Sequence, residues 1–254
     1  MKGTVHYEKR DDVALLSIDN PPVNPLSSGV RQGLFDGVTQ ALEDDVIKSI
    51  VVTGMHRAFI AGADISEFGA AASEGVGLHE ALKLMEDSSK PIIAAINHTA
   101  FGGGLETALC CNYRIAAPTA PVGLPEVKLG LLPGAGGTQR LPRLAGVEAA
   151  LNAMVTGDPL LAPQALDLGV IDKIAEGDLV EEAIAWAREI AASGAAPSRV
   201  RDIEDRIAQD RGNDEVFTRA AAQIEQRQRN MNAPARILKC VEMAANTDDF
   251  DAGL

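Results

Sequence analysis

Two glutamates stand where acids are uncommon. Glu106 lies in Gly-Gly-Gly-Leu-Glu-Thr-Ala-Leu-Cys-Cys and Glu126 in Val-Gly-Leu-Pro-Glu-Val-Lys-Leu-Gly-Leu-Leu-Pro-Gly, both among small and apolar neighbours. An acid in such company is costly unless it is paired or has chemistry to do. If both share one cavity, burial and like charge push their proton affinities apart, leaving one with a proton to give and the other with a lone pair to take one. Taken alone, each reads as a capping or ion-paired structural acid.

Two glycine-rich turns supply the other candidate chemistry, Phe59-Ile60-Ala61-Gly62-Ala63-Asp64 and Phe101-Gly102-Gly103-Gly104-Leu105-Glu106. Each follows a strand-like run. If the second opens a helix, its first amides lack intrahelical acceptors and face whatever sits on the helix end, where the dipole favours negative charge. That is half of an oxyanion hole, and one amide from another loop completes it. Taken alone, either turn is a tight strand-to-helix connection. There is no G-x-S-x-G elbow, no G-x-x-x-x-G-K-[ST] loop and no G-x-G-x-x-G turn, and His79-Glu80 begins an H-E-x-x-H match that fails at Lys83. Serine hydrolase, NTPase, dehydrogenase and zincin readings lose support, and no metal site is expected.

The elements that must hold these residues follow from hydrophobic periodicity. Val13 to Ile18 and Ile50 to Thr53 are β-branched runs, and Gly29 to Asp44 between them repeats Val30, Leu34, Val38 and Leu42 at helical spacing. Ile92 to Ile96 predicts a strand, Leu105 to Cys110 a helix and Tyr113 to Ala116 another strand. This is an α/β chain whose strands are covered by helices. Past about residue 140 the strand signals thin, and helices are predicted at Gly146 to Thr156, Val180 to Ala192, Val216 to Arg229 and Ala233 to Ala245. The polar stretch from Ser198 to Asn230 keeps one apolar stripe, Ile203, Ile207, Val216, Ala220 and Ile224, fit to pack on the parent domain or on another subunit.

The chain of 254 residues is 46% hydrophobic, long enough for a core. Its net charge of −13 argues against nucleic-acid and anionic-membrane partners. Cys110, Cys111 and Cys240 form no C-x-x-C spacing, so a reducing, cytoplasmic setting is expected. The most apolar stretch, Pro91 to Cys111, is broken by Asn97, His98, Thr99 and Glu106, so neither a signal peptide nor membrane insertion is expected.

Phe59 to Glu67 (FIAGADISE), Phe101 to Glu106 (FGGGLE) and Gly123 to Arg143 (GLPEVKLGLLPGAGGTQRLPR) resemble, in order, three signature segments of the enoyl-CoA hydratase/isomerase (crotonase) superfamily. The likeness runs from about Val13 to Ile174. It implies a crotonase-like spiral of ββα units over residues 1–195 with the active site, and a helical C-terminal region over 196–254 for packing or for assembly into a homotrimer or hexamer. It also implies that the amides of Ala63 and Gly103 hold the thioester oxygen of an acyl-CoA substrate, with Glu106 activating water, Glu126 exchanging the α-proton and the Gly134 amide steadying that water. Ala61, Asp64 and Ile65 fall where the family receives the adenine of CoA, and Pro22 and Val23 where it clasps pantetheine. CoA is then part of the substrate, with no separate cofactor.

Retention of both acids favours 2-enoyl-CoA hydration, since isomerases of the superfamily usually keep only the acid matching Glu126. A Δ3-Δ2-enoyl-CoA isomerase, another crotonase reaction and a non-catalytic acyl-CoA-binding protein are the alternatives. The family commonly has Gly where this chain has His98, which either crowds the second loop, lines the pocket or fills a turn. Asn20-Pro21-Pro22-Val23-Asn24 and Cys111-Asn112-Tyr113-Arg114 look most like the hydratase half of bifunctional hydratase-dehydrogenases. No dinucleotide motif follows in this sequence, so no dehydrogenase activity is expected in it; a separate partner, or a larger multifunctional enzyme of which this is a piece, would supply it. Cys110 and Cys111 are expected in packing, and Arg140 and Arg143 in anchoring the loop after Gly137 or in a subunit contact.

Overall fold

The structure, a computed structural model, describes residues 2–64, 67, 75–228 and 230–254. Its strands divide between two sheets, and the division places the site. The larger sheet holds β1 (Thr4–Arg10), β2 (Val13–Asp19), β3 (Ser49–Gly54), β5 (Ile92–Ile96), β7 (Tyr113–Ala116) and β10 (Lys173–Ile174), in that spatial order. The smaller holds β4 (Ala58–Ile60), β6 (Thr99–Phe101), β8 (Pro121–Gly123) and β9 (Leu160–Leu161). β1 pairs antiparallel with β2 and β9 with β8, and the other pairings are parallel.

From β3 to β8 consecutive strands alternate between the sheets, so each repeat sends its first strand to the large sheet and its second to the small one before a helix returns the chain. β3 and β4 lead to α2 (Leu78–Glu86), and β5 and β6 to α3 (Gly103–Cys110). β7 and β8 lead through a short 3-10 turn, Pro125–Leu129, to α4 (Gly137–Ala145). This is the ββα winding that the resemblance implies.

The period of two explains the large sheet. Ala14, Leu16, Ile18, Ile50, Val52, Ile92, Ala94 and Ile96 face the main core beside α1 (Ser28–Glu43). Their neighbours Val13, Leu15, Val51, Ile93, Ala95 and Ile115 face α7 (Leu179–Ser193) through Ala183, Ile184 and Ala187. Strands covered on both sides read as continuous apolar runs, which is why the sequence announces them. α7 starts where Asp178 accepts from the Val180 and Glu181 amides, both at 3.0 Å, and stops at Gly194 with φ +67°.

The predicted helix over Leu105 to Cys110 begins two residues earlier, and those over the last third become α5 (Val147–Thr156), α7, α8 (Asp214–Gln228) and α9 (Asn232–Asn246). A sixth short helix, α6 (Ala162–Asp167), was not predicted; neither were α2, α4, β1 or the small sheet. The stripe on the C-terminal region turns inward. Ile207 and Val216 are buried in the main core, Ile203 and Ala220 pack against it, and Ile224 is 7% exposed. Among the described residues no helix is long and apolar enough to cross a membrane.

Candidate active site

The small sheet brings the predicted site together. Its three parallel strands each end two or three residues before a group of interest: β4 before Ala63, β6 before Gly103, β8 before Glu126. Ala63 forms a parallel bridge with Leu26 in which the Leu26 N–H donates to Gly62 O at 2.8 Å, a pairing that does not use the Ala63 N–H. Gly103 is the first residue of α3, so its N–H has no intrahelical acceptor. The two are adjacent: a Cβ on Gly103 would lie 3.8 Å from Ala63 N and 2.9 Å from Leu26 Cδ1. Gly102, with φ +54°, turns β6 into the helix, and its N–H donates to Gly123 O at 2.9 Å, tying the start of α3 to the end of β8. Two amides converging at a helix N-terminus suit an oxygen that gains negative charge.

The two acids stand in different surroundings. Glu106 is 2% exposed. Its Oε1 accepts from the Ala135 N–H at 2.7 Å and the Gly137 N–H at 2.8 Å, and a Cβ on Gly137 would sit 3.0 Å from that oxygen. Burial raises the carboxyl, while the two amides and the Arg140 guanidinium pull against that rise by favouring the anion. Glu126, partly buried in the 3-10 turn, has its Oε1 2.9 Å from where a Gly102 Cβ would be, and its buried Oε2 has no hydrogen-bond partner among the described residues. Burial and then the Glu106 charge push the Glu126 carboxyl up to about 7. Both carboxyls are thus raised, but unequally furnished: Glu106 Oε1 is held by two N–H donors, while Glu126 is poised near neutrality to give or take a proton.

Gly134, where the resemblance puts the water-steadying amide, is exposed in the same turn, next to the Ala135 and Gly137 amides that hold Glu106. The glycine-rich Pro133 to Gly137 turn was the signal for them. Pro22 and the 39%-exposed Val23 form a turn over β4, where the Ala61 N–H donates to Val23 O at 3.1 Å. Asn24, fully buried, fixes that turn: its Nδ2 donates to Met55 O and Ala58 O at 2.7 and 2.8 Å, and its Oδ1 accepts from the Asn20 N–H at 2.9 Å. Ala61 and Asp64 lie half-buried beside it, and Ile65 lies outside the described residues.

The other singled-out residues take the following places. His98 is exposed in the turn between β5 and β6, the turn position that one of its readings gave it. Arg140 and Arg143 are inside α4, which starts at Gly137, so no loop follows that glycine. Arg140 instead anchors the preceding turn through Ala135 O at 3.1 Å, and both side chains are buried within the chain. Cys110 and Cys111 are buried in the core, where burial raises both thiols, Cys110 to about 12. That keeps them protonated and inert.

The family description "Enoyl-CoA hydratase/isomerase" matches residues 8–238. The peroxisomal bifunctional enzyme of Homo sapiens is 42% identical over 233 residues, 91% of this chain and 32% of that protein. The peroxisomal fatty acid beta-oxidation multifunctional protein MFP2 of Arabidopsis thaliana is 39% identical over 244 residues, 92% of this chain and 33% of its own length. The chain therefore spans about a third of the curated relatives it matches. An enoyl-CoA hydratase structure from Bacillus anthracis superposes with a TM-score of 0.68 at 30% identity, covering 96% of this chain and 90% of that one.

Proposed function

The chain belongs to the enoyl-CoA hydratase/isomerase family, and on that premise we propose that it hydrates 2-enoyl-CoA thioesters. The observation that carries this is the unequal acid pair, Glu106 held by two amides and Glu126 with an oxygen unpartnered among the described residues and a carboxyl near 7, beside the adjacent amides of Ala63 and Gly103. The thioester oxygen accepts from those amides. Glu106 takes a proton from water as its oxygen bonds to the β-carbon, the double-bond electrons pass to the α-carbon and the thioester oxygen, and Glu126 delivers a proton to the α-carbon. The amides stabilise charge that exists only in the transition state and intermediate, which is where binding accelerates.

Pro22, Val23, Ala61, Asp64 and Ile65 are assigned to CoA, supported by the turn that Asn24 holds against β4. Chemistry of this kind uses no cofactor beyond the substrate's own CoA. The bare Oε2 of Glu126 favours Δ3-Δ2 isomerisation as a second reaction, because one acid able to give and take a proton suffices for it.

The reading extends to a homotrimer or hexamer, supported by Leu129 and Leu131, 66% and 44% exposed just after Glu126; light scattering on the purified chain checks it. A 3-hydroxyacyl thioester product calls for an oxidising dehydrogenase as partner. Three free thiols support a reducing compartment such as the cytoplasm. The test of the function is loss of conjugated enoyl-thioester absorbance when the chain is mixed with crotonyl-CoA and longer homologues. Rapid loss supports hydration. A chain that binds the thioester and turns over neither 2-enoyl nor 3-enoyl forms is a binding protein and overturns it.

A further inference from the structure

Beyond the acids themselves, the site is tied to a distant part of the chain. Three guanidiniums converge on the Phe250 ring, with Arg140, Arg143 and Arg201 Cζ at 4.9, 5.0 and 4.4 Å from its centre. Phe250 is 6% exposed, and Arg140 and Arg143 are 4% and 1% exposed. The acids near this cluster are Glu86, Glu204 and Asp251. Glu86 is buried, as is Glu106 beside Arg140, and Arg140 grips Glu86 with Nε and Nη2 at 2.8 and 2.7 Å. Arg201 meets Asp251 at 2.7 Å, and Arg143 lies 3.7 Å from Glu204 with its Nε unpartnered. Three cations packed this closely repel one another even with Glu86 and Glu106 buried beside Arg140, and a polarisable group between them eases that repulsion. The negative face of an aromatic ring is such a group, and it counts for most where water is excluded.

The remaining Nη1 of Arg140 donates to Ala135 O at 3.1 Å. That carbonyl lies between the two N–H groups, of Ala135 and Gly137, that hold Glu106 Oε1. The connection from ring to acid is therefore continuous: Phe250 to Arg140, Arg140 to the Ala135 carbonyl, the turn to Glu106. The tail segment is itself pinned, since Asp249 Oδ1 accepts from the Asp251 and Ala252 amides at 3.1 Å and Arg211 meets Asp248 at 2.9 Å.

We propose that Phe250, acting through Arg140 and its partner Glu86, is a positioning residue for Glu106, setting where that carboxylate stands and how readily it takes the proton of water. The assignment of a reaction step to Glu106 rests on the hydratase reading; the mechanical and electrostatic link to Glu106 does not. With the ring gone, the guanidiniums spread, Arg140 leaves the Ala135 carbonyl, and Glu106 loses both its aligned amides and a nearby positive charge.

The test compares the parent with Phe250→Leu, which keeps apolar volume without the π face, Phe250→Tyr, which keeps the face, and Phe250→Met in case the leucine variant folds poorly. Two quantities are read on the full chain: the pH dependence of crotonyl-CoA hydration, and the titration of the Glu106 carboxyl carbon by 13C NMR, assigned by its loss in Glu106→Gln. In the leucine or methionine variant kcat falls about 10- to 100-fold, the scale that a small misplacement produces. KM stays within about twofold, the acidic limb of kcat and the Glu106 titration both move to higher pH because the anion has lost stabilisation, and Phe250→Tyr restores both. A folded leucine or methionine variant whose Glu106 titrates as in the parent overturns the proposal, as does a loss of activity that merely follows the folded fraction. If the parent itself has no turnover, the hydratase reading falls and the carboxyl titration alone still decides this one.

Discussion

Replacing Glu126 with Gln should inactivate the chain and stabilise it at the same time. The carboxyl is raised from an ordinary 4.5 to about 7. At about 1.4 kcal/mol per tenfold change in proton affinity, that corresponds to about 3 kcal/mol withheld from the ionised form. Glu126 is only partly buried, so solvent screening brings the expected figure to about 2 kcal/mol. The sign follows from proton counting. Below about 4.5 the side chain is protonated in both the folded and unfolded chain and contributes nothing to the difference. Between about 4.5 and 7 the unfolded chain has given up the proton while the folded chain keeps it, so stability falls as pH rises, and above about 7 the full loss is in place. Gln has no charge to bury. Glu106 is present in both proteins, and relief of its repulsion from Glu126 acts in the same direction. Denaturant unfolding of parent and variant at pH 4.5 and pH 8 measures the effect. The variant's advantage should widen by about 2 kcal/mol between those values, while crotonyl-CoA hydration falls by about 10²–10⁴-fold. An advantage that does not change with pH would refute the claim that this carboxyl is held near neutrality by its site.

Two further outcomes follow from the inequality of the acids. Glu106→Gln should lower hydration by about 10²–10⁴-fold with CoA affinity retained, yet spare isomerisation of a 3-enoyl-CoA, which Glu126 alone can carry; equal loss of both in steady-state assays would mean one inseparable two-acid machine. The pH profiles of kcat/KM should also diverge around 7, hydration declining as Glu126 loses the proton it must donate and isomerisation rising as Glu126 gains the lone pair it must use. Parallel profiles for the two substrates would contradict these roles.

How far the sequence reveals this molecule depends on what surrounds each element. β2, β3, β5 and β7 are buried on both sides and stand out as apolar runs, and α5, α7 and α9 have long apolar periods. β1 is an edge strand with alternating exposure and charged side chains, and β4, β6 and β8 are three residues each, too short for a period to register. α4 hides for another reason. It carries Gln139, Arg140, Pro142 and Arg143 yet is buried throughout, because its cations are satisfied by Glu86 and Phe250, partners remote in sequence. The acids and glycine turns were legible as anomalies of composition. Which amides hold Glu106 was not, since Gly134, Ala135 and Gly137 differ only in how one turn is oriented.

The alternation of strands between two sheets has a consequence for what such a chain can become. β4, β6 and β8 lie side by side with neighbours about 4.8 Å apart. The residues just past their ends therefore sit on a ruler graduated by backbone hydrogen bonds, indifferent to which side chains occupy the marks. Two marks present only main-chain N–H groups, which mutation can hardly remove. The third presents the side chain of Glu126, which a single substitution can exchange without disturbing the spacing. Main-chain electrostatics and side-chain chemistry thus come from successive repeats, and the residue at position 126 can change while the two N–H groups keep their spacing.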